Sequence, residues 1–265
     1  MNIRTDFTML TVCYDPYSGT LGRFTRAEIF DLVVDAGYEG INIPVNTAFL
    51  GELSSTEIED AVNLANKHNL VAPTIGFGNH ILTSPTRKDE TLQHFEIVLE
   101  VARQFDAEFI GIWVNPSTDV SREESLDVLE DNLSKMIPAC NDYNIKITLE
   151  FEKGCPLDNY REGVEFIVDT GLPVYLTCDT YHLFNDGAEP ITAAHAMKEC
   201  LGDVHVSGSN RGEPGGGIFD FETFAKGLKE INFSGPLVVQ YKMDDVTSIK
   251  RSCEFTHKFR DMIRS

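Results

Sequence analysis

Short runs of β-branched, aliphatic and aromatic residues recur along the chain, and stretches between them carry apolar residues three and four positions apart. The runs have the character of buried strands and the stretches that of amphipathic helices, so the alternation predicts repeated βα units with parallel strands. Eight runs are legible, at residues 7 to 13, 40 to 45, 70 to 77, 108 to 115, 145 to 151, 173 to 179, 203 to 207 and 236 to 241. Thr25 opens the first helix, with Ala27, Ile29, Phe30, Val33 and Val34 on one face and Gly37 at its end. Ser/Thr residues ahead of Glu57 cap the second. Further helices are predicted over 88 to 106, 121 to 143, 160 to 169, 189 to 200 and 246 to 263, with Pro138 bending the last turn of the 121 to 143 helix. Eight units joined by right-handed crossovers favour a closed (β/α)8 TIM barrel over an open doubly wound sheet, because no G-x-G-x-x-G turn follows the first strand.

Length agrees with that reading. The 265 residues lie near the roughly 250 of such a barrel, and no Pro/Gly/Ser-rich linker divides them, so residues 1 to 265 read as a single domain. With 22 Lys+Arg against 42 Asp+Glu, the formal charge of −20 repels a nucleic-acid backbone, and no local basic patch offsets it. It also favours neutral substrates over sugar phosphates unless Arg and Lys gather in the site. Six cysteines, without a CxxC pair or a framework spacing, read as free thiols in a reducing compartment. The N-terminus lacks a secretory pattern and no run approaches about 18 apolar residues, so a cytoplasmic location without membrane contact is the expectation.

In a parallel barrel the C-terminal strand ends share one mouth, where Glu150, Asp179, His205 and Gln240 would converge. Carboxylates and an imidazole suit a divalent cation. Taken singly, Glu150 could be a surface residue at a strand end, Asp179 a turn cap and His205 a satisfied core histidine.

Three motifs sharpen the choice: ITLEF with Glu150, CDTYHLF with Asp179 and His182, and HVSGSNRGEPGGG with His205 and Arg211. Together they resemble the xylose isomerase-like barrel superfamily of sugar isomerases, epimerases and dehydratases. The resemblance implies that Glu150, Asp179 and His205 are metal ligands and that His182 and Arg211 contact substrate oxygens. Two positions depart from it. The fourth ligand in that family is usually a glutamate ending the eighth strand, where this chain has Gln240, and a second glutamate six residues after the strand-five ligand is here Pro156. An amide oxygen coordinates a hard cation but is no general base. Glu152 and Lys242 could serve as bases instead, or be solvated loop charges; Arg211 could alternatively pair with Glu213. His80, Trp113 and Asn115 follow the third and fourth strands and are candidate substrate contacts at the same mouth.

The resulting expectation is a metal-dependent isomerase or epimerase acting on a small ketose, keto-sugar or keto-cyclitol through an enediolate. Manganese is the first choice of cation, with magnesium, cobalt or zinc as alternatives. A lyase or dehydratase on a keto-sugar or inosose, and a catalytically decayed sugar-binding barrel, are the competing readings. Neither nucleic acid nor membrane is an expected partner, and a homo-oligomer stays open.

Overall fold

A computed structural model describes residues 10–78 and 81–265. Its strands are β1 (Val12–Tyr14), β2 (Gly40–Ile41), β3 (Ile43–Pro44), β4 (Thr74–Gly76), β5 (Phe109–Trp113), β6 (Lys146–Glu150), β7 (Tyr175–Asp179), β8 (Leu201–Val206) and β9 (Leu237–Val239). All pair in parallel, in the order β2-β1-β9-β8-β7-β6-β5-β4-β3. Since β2 and β3 are halves of one strand interrupted only at Asn42, the two ends of that order meet and the ring closes as an eight-stranded barrel. This is the expected architecture.

The helices are α1 (Arg26–Ala36), α2 (Thr47–Leu50), α3 (Ser55–His68), α4 (Lys88–Gln104), α5 (Arg122–Asn141), α6 (Tyr160–Thr170), α7 (Thr180–Asn185), α8 (Pro190–Ala196), α9 (Phe221–Glu230) and α10 (Ser248–Arg264). Thr25 forms a reciprocal capping box with Glu28, and Gly37 ends α1 at a left-handed φ of 93°. Ser54 accepts from the Glu57 amide and caps α3. The α5 helix runs through Pro138 to Asn141, because Leu133, Met136, Ile137 and Cys140 are buried on both sides of the proline.

The structure differs from the sequence reading at the edges of elements and in helices that reading omitted, α2, α7 and α9. β4 covers only 74 to 76 of the anticipated 70 to 77. Residues 7 to 9 of the first anticipated strand lie outside the described residues. An element the sequence reading omitted, α9, is capped by Asp220 and buries Phe221, Phe224, Ala225 and Leu228. That spacing was present in the sequence, hidden behind the Gly-rich run before it. Phe221 packs edge-on against Phe255 and Phe259 of α10, which fastens the last crossover to the closing helix.

Candidate active site at the barrel mouth

Alternation along each strand turns every second side chain inward. On β6 these are Thr148 and Glu150, on β7 Thr177 and Asp179, and on β8 Asp203 and His205. The parallel register sets Glu150 opposite Thr177 and Asp179 opposite His205. Of these, Glu150, Thr177 and His205 line a cavity of 760 Å³ whose walls also include Asp15, Asn42, Trp113 and Gln240. Helix α7 adds His182 from one turn beyond Asp179, and Asp179 itself caps that helix by accepting from the Tyr181 amide at 2.7 Å.

Four groups at this mouth are almost without solvent: Glu150 (7% exposed), Asp179 (0%), His182 (4%) and His205 (7%). Buried charge demands partners. His205 Nδ1 lies 3.4 Å and His182 Nε2 lies 3.7 Å from Glu150 Oε1, while His205 Nε2 faces Asp203 Oδ2 at 3.5 Å. Burial pushes the Glu150 carboxyl upward, but the charge of His205 prevails, aided by His182 and Arg211, and holds it below its usual range. At His205 burial works the other way; Glu150 and Asp203 overcome it and raise the imidazole well above its ordinary value.

Arg211 enters from the β8–α9 loop. Its backbone is left-handed at φ 61°, held by its own N–H to Gly208 O and by the Lys242 N–H to its carbonyl. The guanidinium donates through Nη1 to Asp179 Oδ2 and through Nη2 to Gln240 Oε1, the latter at 2.5 Å. Glu213, the alternative partner considered for Arg211, instead takes Arg251 through two bonds of 2.8 Å.

The donor set fits a divalent cation. Glu150, Asp179 and His182 each offer a ligand atom within 4.8 Å of the other two. Glu150 Oε1 and His205 Nδ1 are also buried without hydrogen-bond partners. Asp203 on the far nitrogen of His205 is the arrangement that fixes a ligating histidine's ring and leaves Nδ1 toward the site. A cation would displace the proton that His205 otherwise carries. The pair's stabilisation in the metal-free protein is therefore present below the ordinary imidazole range and is lost as pH rises through the raised His205 value; at the acid end it is lost as pH falls through the lowered Glu150 value. Manganese titrated between about pH 6 and 8 should bind more tightly as pH rises. Calorimetry in buffers of different ionisation enthalpy should then report proton release, whereas a buffer-independent heat would contradict this account.

The other anticipated residues divide. Trp113 lines the cavity, as do Glu152 and Lys242. Glu152 lies past the end of β6, with its carboxylate 3.9 Å from His182 Nδ1. Lys242 is exposed rather than desolvated. Gln240 is held by two partners, accepting from Arg211 and donating to Asp15 at 3.0 Å. Asn115 is not on the cavity wall; its side-chain amide donates to Pro116 O and its carbonyl accepts from Thr83. His80 lies outside the described residues. Sequence reasoning missed Asp15, Asn42, Thr177 and Asp203. The signal available for Asp15 was a carboxylate directly after the buried run VCY, at the same strand-end position as Glu150 and Asp179.

The family model described as xylose isomerase-like TIM barrel matches residues 30–259. The chain belongs to that family. Among xylose isomerase-like relatives, an L-ribulose 3-epimerase of Methylomonas sp. is 26% identical over 148 residues, 54% of this chain and 50% of the relative. The match thus spans half the length of that relative. A ketose 3-epimerase of Arthrobacter globiformis is 22% identical over 224 residues, 78% of this chain and 74% of the relative. An inosose dehydratase of Clostridium beijerinckii is 27% identical over 166 residues, 54% of this chain and 55% of the relative. D-psicose 3-epimerase from Clostridium cellulolyticum superposes with a TM-score of 0.81 at 16% identity, covering 96% of this chain and 99% of that one. The IOLI protein, solved with a zinc atom, superposes with a TM-score of 0.78 at 17% identity, covering 96% and 98%. At these identities the structural likenesses establish the xylose isomerase-like fold. Among the described residues no helix is long and apolar enough to cross a membrane.

Proposed function

We propose that this single-domain barrel is a divalent-metal-dependent enzyme that moves a proton next to the carbonyl of a small ketose, keto-sugar or keto-cyclitol, as an isomerase or epimerase. The observation that carries the reading is the buried cluster of Glu150, Asp179, His182 and His205 at the mouth of a 760 Å³ cavity. Glu150, Asp179 and His205 would hold the cation, and Gln240 would add its amide oxygen only by giving up the bond it accepts from Arg211. Manganese is the favoured ion, and when bound it would supply electrophilic stabilisation of charge developing on neighbouring substrate oxygens.

The chain's own groups do the rest. Glu150 and Glu152 stand on the same side of the cavity as His182, which lies within 4 Å of both carboxylates and can hold or return a proton. Arg211 is placed by its loop to orient a substrate oxygen. Trp113 supports the sugar's apolar face.

A second reading, elimination of a β-substituent from an inosose or keto-sugar, is favoured by one feature. The carboxylates lining the cavity are Glu150 on β6, Glu152 in the loop after it and Asp15 after β1. Asp15 already accepts from Tyr17, Asn42 and Gln240, and Gln240 after β9 is an amide, so the less engaged carboxylates stand on one side. One-sided proton transfer suits isomerisation or elimination better than two-base epimerisation. The two readings are separated by incubating manganese-loaded protein in deuterated water with D-fructose, D-allulose, D-tagatose and an inosose. Exchange of the C–H next to the carbonyl is the expected result, with loss of water from the product marking the dehydratase. Protein that takes up no metal and exchanges no proton of any of these compounds is not such an enzyme.

A further inference from the structure

Asp15 has no role in the scheme above, yet it is a fully buried carboxylate on the wall of the same cavity. It stands directly after β1, its N–H bonded to Val239 O. Its Oδ1 accepts from the Tyr17 amide at 2.8 Å, and its Oδ2 accepts from Asn42 Nδ2 at 2.8 Å and Gln240 Nε2 at 3.0 Å. A carboxylate can only accept, so the amide of Gln240 has one orientation available: Nε2 toward Asp15 and Oε1 away from it. That oxygen then meets Arg211 Nη2 at 2.5 Å, while Nη1 is on Asp179. The result is a continuous polar chain, Asn42–Asp15–Gln240–Arg211–Asp179, running from the β2/β3 strand past the ends of β1, β9 and β8 to β7 across the mouth.

We propose that Asp15 is a positioning residue for Arg211: it fixes the side-chain amide of Gln240, and the Gln240 oxygen in turn anchors the guanidinium beside the site. Position 15 carries the charge of this pair and position 240 must be the neutral member. Two carboxylates at 3.0 Å would repel. An amide at both positions would let the residue at 15 present an N–H to Gln240, drawing the Gln240 oxygen away from Arg211 and setting amide N–H against guanidinium, donor against donor. The inference rests on the proposed function only for the meaning of Arg211 as a substrate-facing group; the hydrogen-bond chain itself exists without metal or substrate.

The pairing can be exchanged. In the double variant Asp15→Asn/Gln240→Glu the amide introduced at position 15 donates to the carboxylate introduced at position 240, whose second oxygen still anchors Arg211. Asn42 need only turn its side chain over, and its Oδ1 is at present buried without a partner. The test uses metal-free, substrate-free full-length protein with 15N-labelled arginine. Wild type should show separate Arg211 Nη1 and Nη2 resonances, because rotation about the guanidinium is hindered at both ends; the signal is assigned by its loss in Arg211→Lys. Asp15→Asn should merge the two resonances, and Gln240→Glu should lower the urea midpoint. The double variant should restore both the split resonances and the midpoint. Unchanged Arg211 resonances in Asp15→Asn, or a double variant no better than the sum of its singles, overturns the proposal. Either result leaves the proton-exchange assay standing on its own, and an inactive wild type with a split, Asp15-dependent Arg211 signal would fail the proposed reaction and not the positioning role.

Discussion

Protein carrying Glu150→Ala should take up no stoichiometric manganese, and any carbonyl-adjacent proton exchange should fall by more than about a hundredfold, a loss that even outer partners of a metal site can cause. Oε1 of Glu150 is the atom on which the cluster converges, at 3.4 Å from His205 and 3.7 Å from His182. No carboxylate from a neighbouring strand can replace it, since Asp203 is on the opposite nitrogen of His205 and Asp179 already counts among the proposed ligands. Glu150→Gln keeps the volume and loses the charge, so it should fold as the wild type does and still bind manganese poorly. Metal analysis after dialysis against manganese decides the matter. Wild-type occupancy in Glu150→Ala would place any metal site elsewhere.

Removing Asp179 should be the most damaging change to the fold among the site residues. Its Oδ1 accepts from the Tyr181 amide and from Ser207 Oγ at 2.9 Å, and its Oδ2 pairs with Arg211. Asp179→Ala therefore removes the cap of α7, worth about 1 kcal/mol. It also breaks a buried ion pair, a change that costs about 3–5 kcal/mol because the surviving charge is left uncompensated. Arg211 is 29% exposed and still senses Glu150, which places the pair's share at the lower end of that range. A total loss of roughly 4 kcal/mol by urea denaturation is expected on these grounds. Asp179→Asn retains an oxygen for the Tyr181 amide and should lose less. Equal loss in both variants would mean that the charge, and not the cap, carries the whole effect.

Much of the cluster at the mouth was legible in the chain because its buried polar groups sit at strand ends. A strand's residues alternate strictly, so a carboxylate at the end of ITLE or LTCD has its direction and its depth decided by its own run. Glu150, Asp179 and His205 were placed at the mouth in this way, and His182, one helical turn later, was singled out by the resemblance of DTYH to the family's motif. Asn115 shows the failure: β5 ends at Trp113, two residues before it, so the alternation that would have aimed it inward has already stopped. Asp15 shows the converse, a strand-end carboxylate overlooked because it opens a loop.

Local periodicity and capping thus specify the (β/α) units, their number and most of the residues at the mouth, because each depends on neighbours a few positions away. Which partner each buried charge takes depends on contacts between distant strands. Arg211 chooses Asp179 over Glu213 because a left-handed loop residue turns it inward while Arg251, 38 positions from Glu213, claims that glutamate. Gln240 reads along the chain as a lost carboxylate. Closure of the barrel brings it against Asp15, 225 positions away, and only that contact shows a charge supplied from another strand.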